Sequence, residues 1–379
     1  MIAQTGKGSI NMVNNSKMHG GNIKAAAKEY DLQLEEIIDF SANINFLGPP
    51  SVVEEEIKAS LDQIIHYPEP EAKTLCNELA DYFGIQSRNV IVGNGEVELI
   101  YLISKVIQPS HALVLAPTFS EYEAAVESVG GKIELFKLSR YNNFKIDMKS
   151  LFSKLEESDI DLLFLCNPNN PTGDLITKSE LLKLVEVAKN EETFVVLDEA
   201  FLDFLMNESE YTLISEAVQQ ENLLVLRSMT KFFAVPGLRI GYGIGNANLI
   251  SKLESSKDPW NVNLFAQQVG VKVLKEDTYI TKTKGTIKQE KEFLYQQLNQ
   301  LKGLNPYRPT VNYILIDISD TEYNSQQLKS LLASKGILVR DCSTYHLLGK
   351  DFIRVAVKNR EDNQKLIKEL KLLLDLGGQ

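Results

Sequence analysis

The sequence has few cysteines and histidines, and neither residue type is spaced as disulfide frameworks or metal sites require. The three cysteines, Cys76, Cys166 and Cys342, lie far apart, and the four histidines show no ligand spacing. Structural zinc sites place their ligands in closely spaced pairs, whereas isolated thiols are typical of reduced cytosolic proteins. We therefore expect neither a metal ion nor a disulfide.

Long apolar runs and positive charge are also scarce. No apolar stretch approaches the ~20 residues of a membrane-spanning helix, and residues 1–18 are polar and Asn-rich, unlike a secretory signal. The chain has 40 lysines and arginines and 51 acidic residues, which gives a net charge of −11. Such a balance disfavours nucleic acid or an anionic membrane as the main partner. We expect a soluble, cytoplasmic protein in which a few placed arginines can still bind an anionic substrate.

The apolar pattern predicts an α/β fold with two domains, because 379 residues exceed the size that one core usually reaches. From about residue 88, short β-branched runs alternate with helical periodicity. Runs that are apolar throughout indicate a sheet covered on both faces, so we predict a doubly wound, mostly parallel sheet over residues 48–262. The predicted strands are Asn89–Val92, Ala112–Ala116, Lys132–Leu138, Asp161–Cys166, Thr193–Leu197, Leu223–Arg227 and Leu238–Gly243.

After Val262 the pattern changes to a smaller α+β unit. We assign to this second domain residues 263–379 and also residues 1–47, which include a short helix over Ile23–Tyr30. Its predicted elements are a long helix over Asn263–Leu301, strand Asn312–Ile318, helix Ser325–Lys335, strands Ile337–Asp341 and Phe352–Val357, and helix Arg360–Leu374.

The most informative motif is the run Ser228-Met-Thr-Lys231-Phe-Phe-Ala-Val-Pro-Gly237-Leu-Arg239-Ile-Gly241, which follows a predicted strand. A lysine in an apolar neighbourhood there is poorly solvated, which lowers the pKa of its amine, as a Schiff-base lysine needs. The hydroxyls of Ser228 and Thr230 and the guanidinium of Arg239 are suitable phosphate ligands.

Three further motifs accompany it. Asp198 ends a buried strand, where a carboxylate needs a partner such as a pyridinium N–H. Asn170 lies in the turn Asn167-Pro-Asn-Asn170-Pro-Thr-Gly173, most of which is ordinary turn chemistry. Gly95 and Glu96 open a helix, where backbone N–H groups bind phosphate; alone, this last signal is weak.

Together, in this order and spacing, the four motifs resemble the class I/II aminotransferases of PLP fold type I over nearly the whole chain. The resemblance implies pyridoxal 5′-phosphate (PLP) as cofactor, Lys231 as its Schiff-base lysine, Asp198 on the pyridine nitrogen and Asn170 near the ring oxygen. It also implies phosphate contacts from Gly95, Glu96, Ser228, Thr230 and Arg239.

The same resemblance implies a homodimer with shared active sites. Tyr122 is expected to stack on the cofactor ring, with Phe119 as the other candidate. Tyr67 is expected to reach the cofactor phosphate of the neighbouring subunit.

Within this family the chain is similar to two groups, the threonine-phosphate decarboxylases of cobalamin biosynthesis and the histidinol-phosphate aminotransferases. Three features favour the decarboxylases. They are the segments His19-Gly-Gly-Asn22 and Asp39-Phe-Ser-Ala-Asn43-Ile-Asn45, the residue Phe201 where the aminotransferases normally have tyrosine, and the segment Asp258-Pro-Trp260-Asn-Val-Asn263.

The resemblance further implies a substrate site for a phosphorylated amino acid, lined by His19, Gly20, Asn43, Asn170, Arg340 and Arg354. The arginines are expected to grip its phosphate and its carboxylate, which fixes the bond that breaks. In a decarboxylase Lys231 returns a proton to Cα, whereas in an aminotransferase it first acts as a base. Serine phosphate is a second candidate substrate, because it differs from threonine phosphate by one methyl group.

A third hypothesis is that the protein is a regulator, which keeps this fold to sense PLP or an amino acid. Such proteins carry a DNA-binding domain. The acidic net charge disfavours DNA binding, and the N-terminal segment is too short for such a domain. We therefore expect an enzyme.

Overall fold

The computed structural model describes residues 20–377, so the predicted substrate residue His19 lies outside the described residues. Its strands, in chain order, are β1 (Ile38–Asp39), β2 (Val90–Asn94), β3 (His111–Ala116), β4 (Lys132–Lys137), β5 (Leu162–Cys166), β6 (Phe194–Asp198), β7 (Leu223–Ser228), β8 (Ile240–Gly245), β9 (Asn305–Pro306), β10 (Tyr313–Asp317), β11 (Ile337–Leu338), β12 (Arg340–Asp341) and β13 (Phe352–Ala356).

The α-helices alternate with these strands through much of the chain. In chain order they are α1 (Ile23–Tyr30), α2 (Ser51–Ala59), α3 (Lys73–Phe83), α4 (Glu96–Ile107), α5 (Glu121–Ser128), α6 (Met148–Glu156), α7 (Lys178–Asn190), α8 (Ile214–Ala217), α9 (Met229–Phe232), α10 (Ala247–Ser256), α11 (Leu264–Val273), α12 (Asp277–Leu298), α13 (Ser325–Ala333) and α14 (Arg360–Gly377).

The large sheet has the strand order β2-β8-β7-β6-β5-β3-β4. Strand β8 alone runs in the direction opposite to the other six. Successive residues of its inner strands face opposite sides: Phe164 packs into one apolar cluster, and Leu163 and Leu165 pack into another. Because both faces are covered, these strands carry apolar residues at successive positions until their carboxyl ends. The predicted doubly wound, mostly parallel sheet is confirmed.

A second, antiparallel sheet has the order β12-β13-β10-β9, and β1 pairs in parallel with β11 beside it. Its core is a separate apolar cluster that includes Phe40, Leu294, Ile316 and Val355. The strand predicted over Ile337–Asp341 is wrong in one respect, because the chain divides it between the two sheets: β11 pairs with β1, and β12 pairs with β13.

The long helix predicted after Val262 is likewise two helices, α11 and α12, separated by the short link 274–276. The first of them packs against α2 and α3, and the second carries Leu294 and Leu298 into the core of the small sheet. Helix α11 therefore lies on the large sheet's side of the molecule, while the domain boundary at residue 262 stays a prediction.

Strand direction brings the motifs to one edge of the large sheet. Strands β5, β6 and β7 are parallel, and β2 shares their direction because it and β7 are both antiparallel to β8. The residues that follow or end these strands, including Asn170, Asp198, Ser228 and Gly95, therefore meet where ligands bind in α/β sheets.

No helix within residues 20–377 is both long and apolar enough to cross a membrane.

Close backbone approach at this edge depends on Gly241, which pairs with both Gly93 and Ser228. A Cβ at Gly241 would stand 2.4 Å from the Glu96 backbone nitrogen and 2.8 Å from the Glu96 Cα. Because backbone atoms cannot move aside as a flexible side chain does, any larger residue must push β8 away from the start of α4.

We predict that Gly241→Ala lowers the free energy of unfolding by about 1–3 kcal/mol, the usual cost of overpacking. Gly285→Ala in α12 is the matched control, because a Cβ there meets nothing within 4 Å and alanine favours a helix over glycine by about 1 kcal/mol. Urea unfolding measures both variants. Equal stability of the two would show that the approach of β8 to α4 is not constrained.

Candidate active site

Lys231 lies in the one-turn helix α9, directly after β7. Its Nζ donates to Glu96 Oε2 at 3.1 Å and to Ser228 Oγ at 3.0 Å. The Phe201 ring centroid lies 5.6 Å from the same nitrogen. The apolar neighbourhood predicted for this lysine is therefore only partly present, because the carboxylate of Glu96, almost fully buried, stands against the amine.

Asp198 and Glu96 form a coupled pair of buried carboxyl groups. Burial, and then the charge of Glu96, raise the pKa of Asp198 well above its usual range. Burial opposes ionisation of Glu96 as well, but the Lys231 ammonium and hydrogen bonds with Asp198, Lys231 and Ser228 hold its pKa below the usual value. Of the two carboxyl groups, Glu96 is therefore the one whose ionised form its surroundings favour.

Tyr122 supports Asp198. Its hydroxyl donates a short hydrogen bond to Asp198 Oδ2, and its ring stacks on Phe164 with centroids 5.0 Å apart. Because the side chain is fully buried, it has no accessible face on which a ligand could lie. The stacking role expected of Tyr122 stays a prediction, and the half-buried Phe119 is the more accessible of the two candidates for it.

The residues predicted to bind phosphate are brought together beside Lys231. The hydroxyls of Ser228 and Thr230 lie 2.8 Å apart. Gly95, at a positive φ of 78° before α4, lies so close to Arg239 that a Cβ would stand 2.5 Å from its Nη2. Hydroxyl donors, a guanidinium and a helix N-terminus together form an anion site, although their role toward a cofactor stays a prediction.

The two predicted substrate arginines lie on the small sheet. Arg354 is almost fully buried, donates through Nη1 to Asn170 Oδ1, and donates through Nη2 to the Ser41 carbonyl at 2.8 Å. Arg340 stands directly opposite Arg354 in the antiparallel pair, is half-buried, and donates to Thr344 Oγ1 at 2.8 Å. The structure therefore places Arg354 against Asn170 and Arg340 beside Arg354, while their role toward a substrate stays a prediction.

Buried polar atoms without partners lie beside these arginines. Among residues 20–377, neither side-chain atom of Asn43 has a hydrogen-bond partner, nor do Arg354 Nε and Asn312 Oδ1. Asn312 Nδ2 donates to the Asn43 carbonyl at 2.9 Å. Leaving such atoms unpaired costs about 1–3 kcal/mol each, so their grouping is what a polar ligand site requires.

The remaining predicted residues within the described chain, Gly20 and Tyr67, are exposed. Gly20 approaches Ser41 so closely that a Cβ would stand 2.2 Å from the Ser41 carbonyl oxygen, the same oxygen that accepts from Arg354. Tyr67 is 81% exposed, and its ring stacks on Trp260 with centroids 4.7 Å apart. Its predicted contact with a neighbouring subunit stays a prediction.

A buried ion pair that none of the motifs predicted lies beside the site. Arg227, only 1% exposed, donates to Glu199 Oε2 at 2.8 Å and to Asp203 Oδ1 at 2.7 Å. Glu199 follows Asp198, and Arg227 precedes Ser228, so this pair fixes the two strand ends that carry the site. Charged residues at the ends of wholly apolar runs were the signal that could have revealed it.

We predict that Arg227→Met lowers the free energy of unfolding by about 3–5 kcal/mol, because it leaves the buried Glu199 carboxylate without its partner. Arg308→Met is the matched control, since Arg308 pairs with Glu292 on the surface and exposed pairs contribute at most about 1 kcal/mol. Chemical denaturation of both variants tests this, and similar losses in the two would contradict a supporting role for Arg227.

Comparison with known proteins adds the following findings. The family model described as aminotransferase class I and II matches residues 35–370. A protein of Caldanaerobacter subterraneus assigned as a threonine-phosphate decarboxylase is 40% identical, with 95% of this chain and 94% of the relative covered. The threonine-phosphate decarboxylase of Salmonella typhimurium is 32% identical, with 94% and 96% covered.

Among solved structures, the histidinol-phosphate aminotransferase of Clostridium acetobutylicum is similar, with a TM-score of 0.82 and 29% identity. The match covers 89% of this chain and 99% of that one.

Proposed function

Given that the chain belongs to the aminotransferase class I and II family, we propose that it decarboxylates L-threonine O-3-phosphate to (R)-1-amino-2-propanol O-2-phosphate. We assign this product to the nucleotide loop of cobalamin, because the family resemblance implies cobalamin biosynthesis. The observation that carries the proposal is the pair of arginines, Arg340 and Arg354, directly opposite each other beside the site. The relatives named as decarboxylases support the reaction type.

The enzyme uses PLP, and the residues present fit this cofactor. Asp198 is a buried carboxyl whose pKa is raised by burial and by the charge of Glu96, and a pyridinium N–H would supply it with a cationic partner. Asn170 would hold the ring oxygen, and the anion site beside Lys231 would hold the cofactor phosphate. When bound, PLP supplies an aldehyde that condenses with amines and a ring that withdraws electrons from the bonds at the substrate Cα.

The arginine pair suits a phosphorylated substrate. Side chains directly opposite in an antiparallel pair share one face of the sheet, with Cβ atoms about 4.5–5.5 Å apart. Two guanidinium groups so placed offer two positive charges and many donors to a single phosphate dianion. We therefore assign both arginines to the phosphate instead of one to the phosphate and one to the carboxylate.

This assignment also favours decarboxylation. A carboxylate that departs as carbon dioxide loses its charge on the way to the transition state, so a guanidinium bound to it would stabilise mainly the ground state. With both arginines on the phosphate, the carboxylate is free of such a contact. Lys231 Nζ is then the group placed to donate a proton to Cα.

Phe201 supports the same reading. It packs edge-on against Tyr313, with centroids 5.1 Å apart, and lies next to Lys231. It offers no hydroxyl to a ring oxygen, whereas the sequence interpretation expects tyrosine there in histidinol-phosphate aminotransferases. That aminotransferase activity is the second candidate, because the arginine pair fits its phosphorylated substrate as well.

We further propose that the enzyme is a homodimer in which Tyr67 reaches the neighbour's cofactor phosphate. Tyr67 belongs to an exposed apolar segment in which Ile65 is 79% exposed. Such contiguous apolar exposure is typical of protein interfaces. Sedimentation equilibrium should give twice the 42.6 kDa of one chain; a single-chain mass would contradict this.

The deciding experiment compares the holoenzyme on three substrates. We expect carbon dioxide release from threonine phosphate, and slower release from serine phosphate by no more than roughly 100-fold, because one methyl group contributes ~1–3 kcal/mol. Lys231→Ala is the negative control and should lose both turnover and the visible absorbance of bound PLP. Faster 2-oxoglutarate-dependent transfer from histidinol phosphate would instead establish the aminotransferase.

We predict that Arg354→Lys lowers kcat/KM for threonine phosphate by at least about 30-fold, because lysine cannot make the paired contacts of a guanidinium. Arg360→Lys is the matched control, since Arg360 pairs with Glu290 away from the site. Steady-state kinetics of both variants provides the measurement. Activity of Arg354→Lys within a few-fold of wild type would remove Arg354 from substrate binding.

A further inference from the structure

Tyr345 links three of the predicted substrate residues. It lies in the turn between β12 and β13, where its hydroxyl accepts from Arg354 Nη1 at 3.2 Å and donates to Asn170 Oδ1 at 3.4 Å. The guanidinium carbon of Arg340 lies 5.3 Å from the centroid of its ring. One half-buried side chain therefore contacts both arginines and the asparagine of the large sheet.

The two arginines need such a partner. Like charges placed directly opposite each other in a sheet repel and destabilise it. The π face of Tyr345 attracts the guanidinium of Arg340, and a lone pair of its hydroxyl oxygen attracts Arg354. Because both attractions come from one rigid ring, they fix the spacing of the two cations before an anion arrives.

Arg340 depends on this turn for its orientation. Within the described chain its hydrogen-bond partner is Thr344, one residue before Tyr345. The turn itself is fixed at two points. Ser343 bonds to Asp341 through its backbone nitrogen and its hydroxyl, and His346 lies 3.1 Å from Glu123 on α5.

We propose that Tyr345 is a positioning residue that sets the separation and orientation of Arg340 and Arg354 for the phosphate group of the substrate. This role rests on the proposed function in one respect, namely that the two arginines bind the phosphate group of the substrate. Tyr345 transfers no proton and forms no bond in the reaction. Its loss should therefore change binding of the phosphorylated substrate more than the rate of the chemical step.

The test uses the holoenzyme and two variants. Tyr345→Phe removes the hydroxyl and keeps the ring, so we expect a KM for threonine phosphate about 3–10-fold higher, the usual effect of losing one hydrogen bond. Tyr345→Leu also removes the ring face under Arg340, so the increase should reach about 30-fold. In both variants kcat and the affinity for PLP should stay within about twofold of wild type.

Calorimetric titration with inorganic phosphate gives an independent measure, and its dissociation constant should rise in parallel with KM. Tyr323→Phe is the matched control, because it removes a tyrosine hydroxyl that donates to the Leu373 carbonyl, on the opposite side of the small sheet. This control should bind phosphate and substrate as wild type does.

Two results would overturn the role of Tyr345. One is unchanged KM and phosphate affinity in Tyr345→Phe. The other is a fall in kcat or PLP affinity without a change in KM, which would place Tyr345 on the cofactor side. If the wild type releases no carbon dioxide but Tyr345→Phe still weakens phosphate binding, the proposed reaction fails and the role of Tyr345 stands. A wild-type holoenzyme that binds neither phosphate nor threonine phosphate refutes both.

Discussion

Lys231 and Glu96 form an ion pair where the carboxyl ends of β7 and β2 meet, and the charges of the whole site follow from it. Burial and the charge of Glu96 raise the pKa of Asp198, whose Oδ2 accepts a hydrogen bond from the Tyr122 hydroxyl. The pair can form only because Gly241 lets β8 pass against the backbone of Glu96. A cofactor that supplies a cation to Asp198 and an anion to Ser228 would redistribute these charges.

The small sheet contributes a second arrangement of charge, with the opposite sign. Arg340 and Arg354 stand side by side, and Asn43, Asn312 and Arg354 leave buried polar atoms without partners. An anionic, hydrogen-bonding ligand would satisfy both features together. Under the proposed function, the large sheet would provide the cofactor side of the site and the small sheet the substrate side. The Arg354–Asn170 hydrogen bond is one direct link between them.

Much of the fold follows from local pattern. The wholly apolar runs correctly indicated the parallel strands of the large sheet, because each strand is covered on both faces. The errors fall where pairing partners decide the outcome. The run Ile337–Asp341 reads as one strand, yet β11 and β12 join different sheets, since the partner strands β1 and β13 come from distant parts of the chain. The burial of Tyr122 against Phe164 could not be predicted either, because it cannot be read from neighbouring residues.

The sequence by itself determined the family, the lysine motif and the set of residues that could meet at the site, because these depend on residue type and spacing along the chain. Tertiary structure alone decided which of them touch. It placed Glu96 against Lys231, buried Arg227 on Glu199, and set Tyr345 between two opposed arginines. The members of these contacts are 135, 28 and 9 residues apart in sequence. Their distances are fixed by strand order, register and burial, which no local pattern encodes.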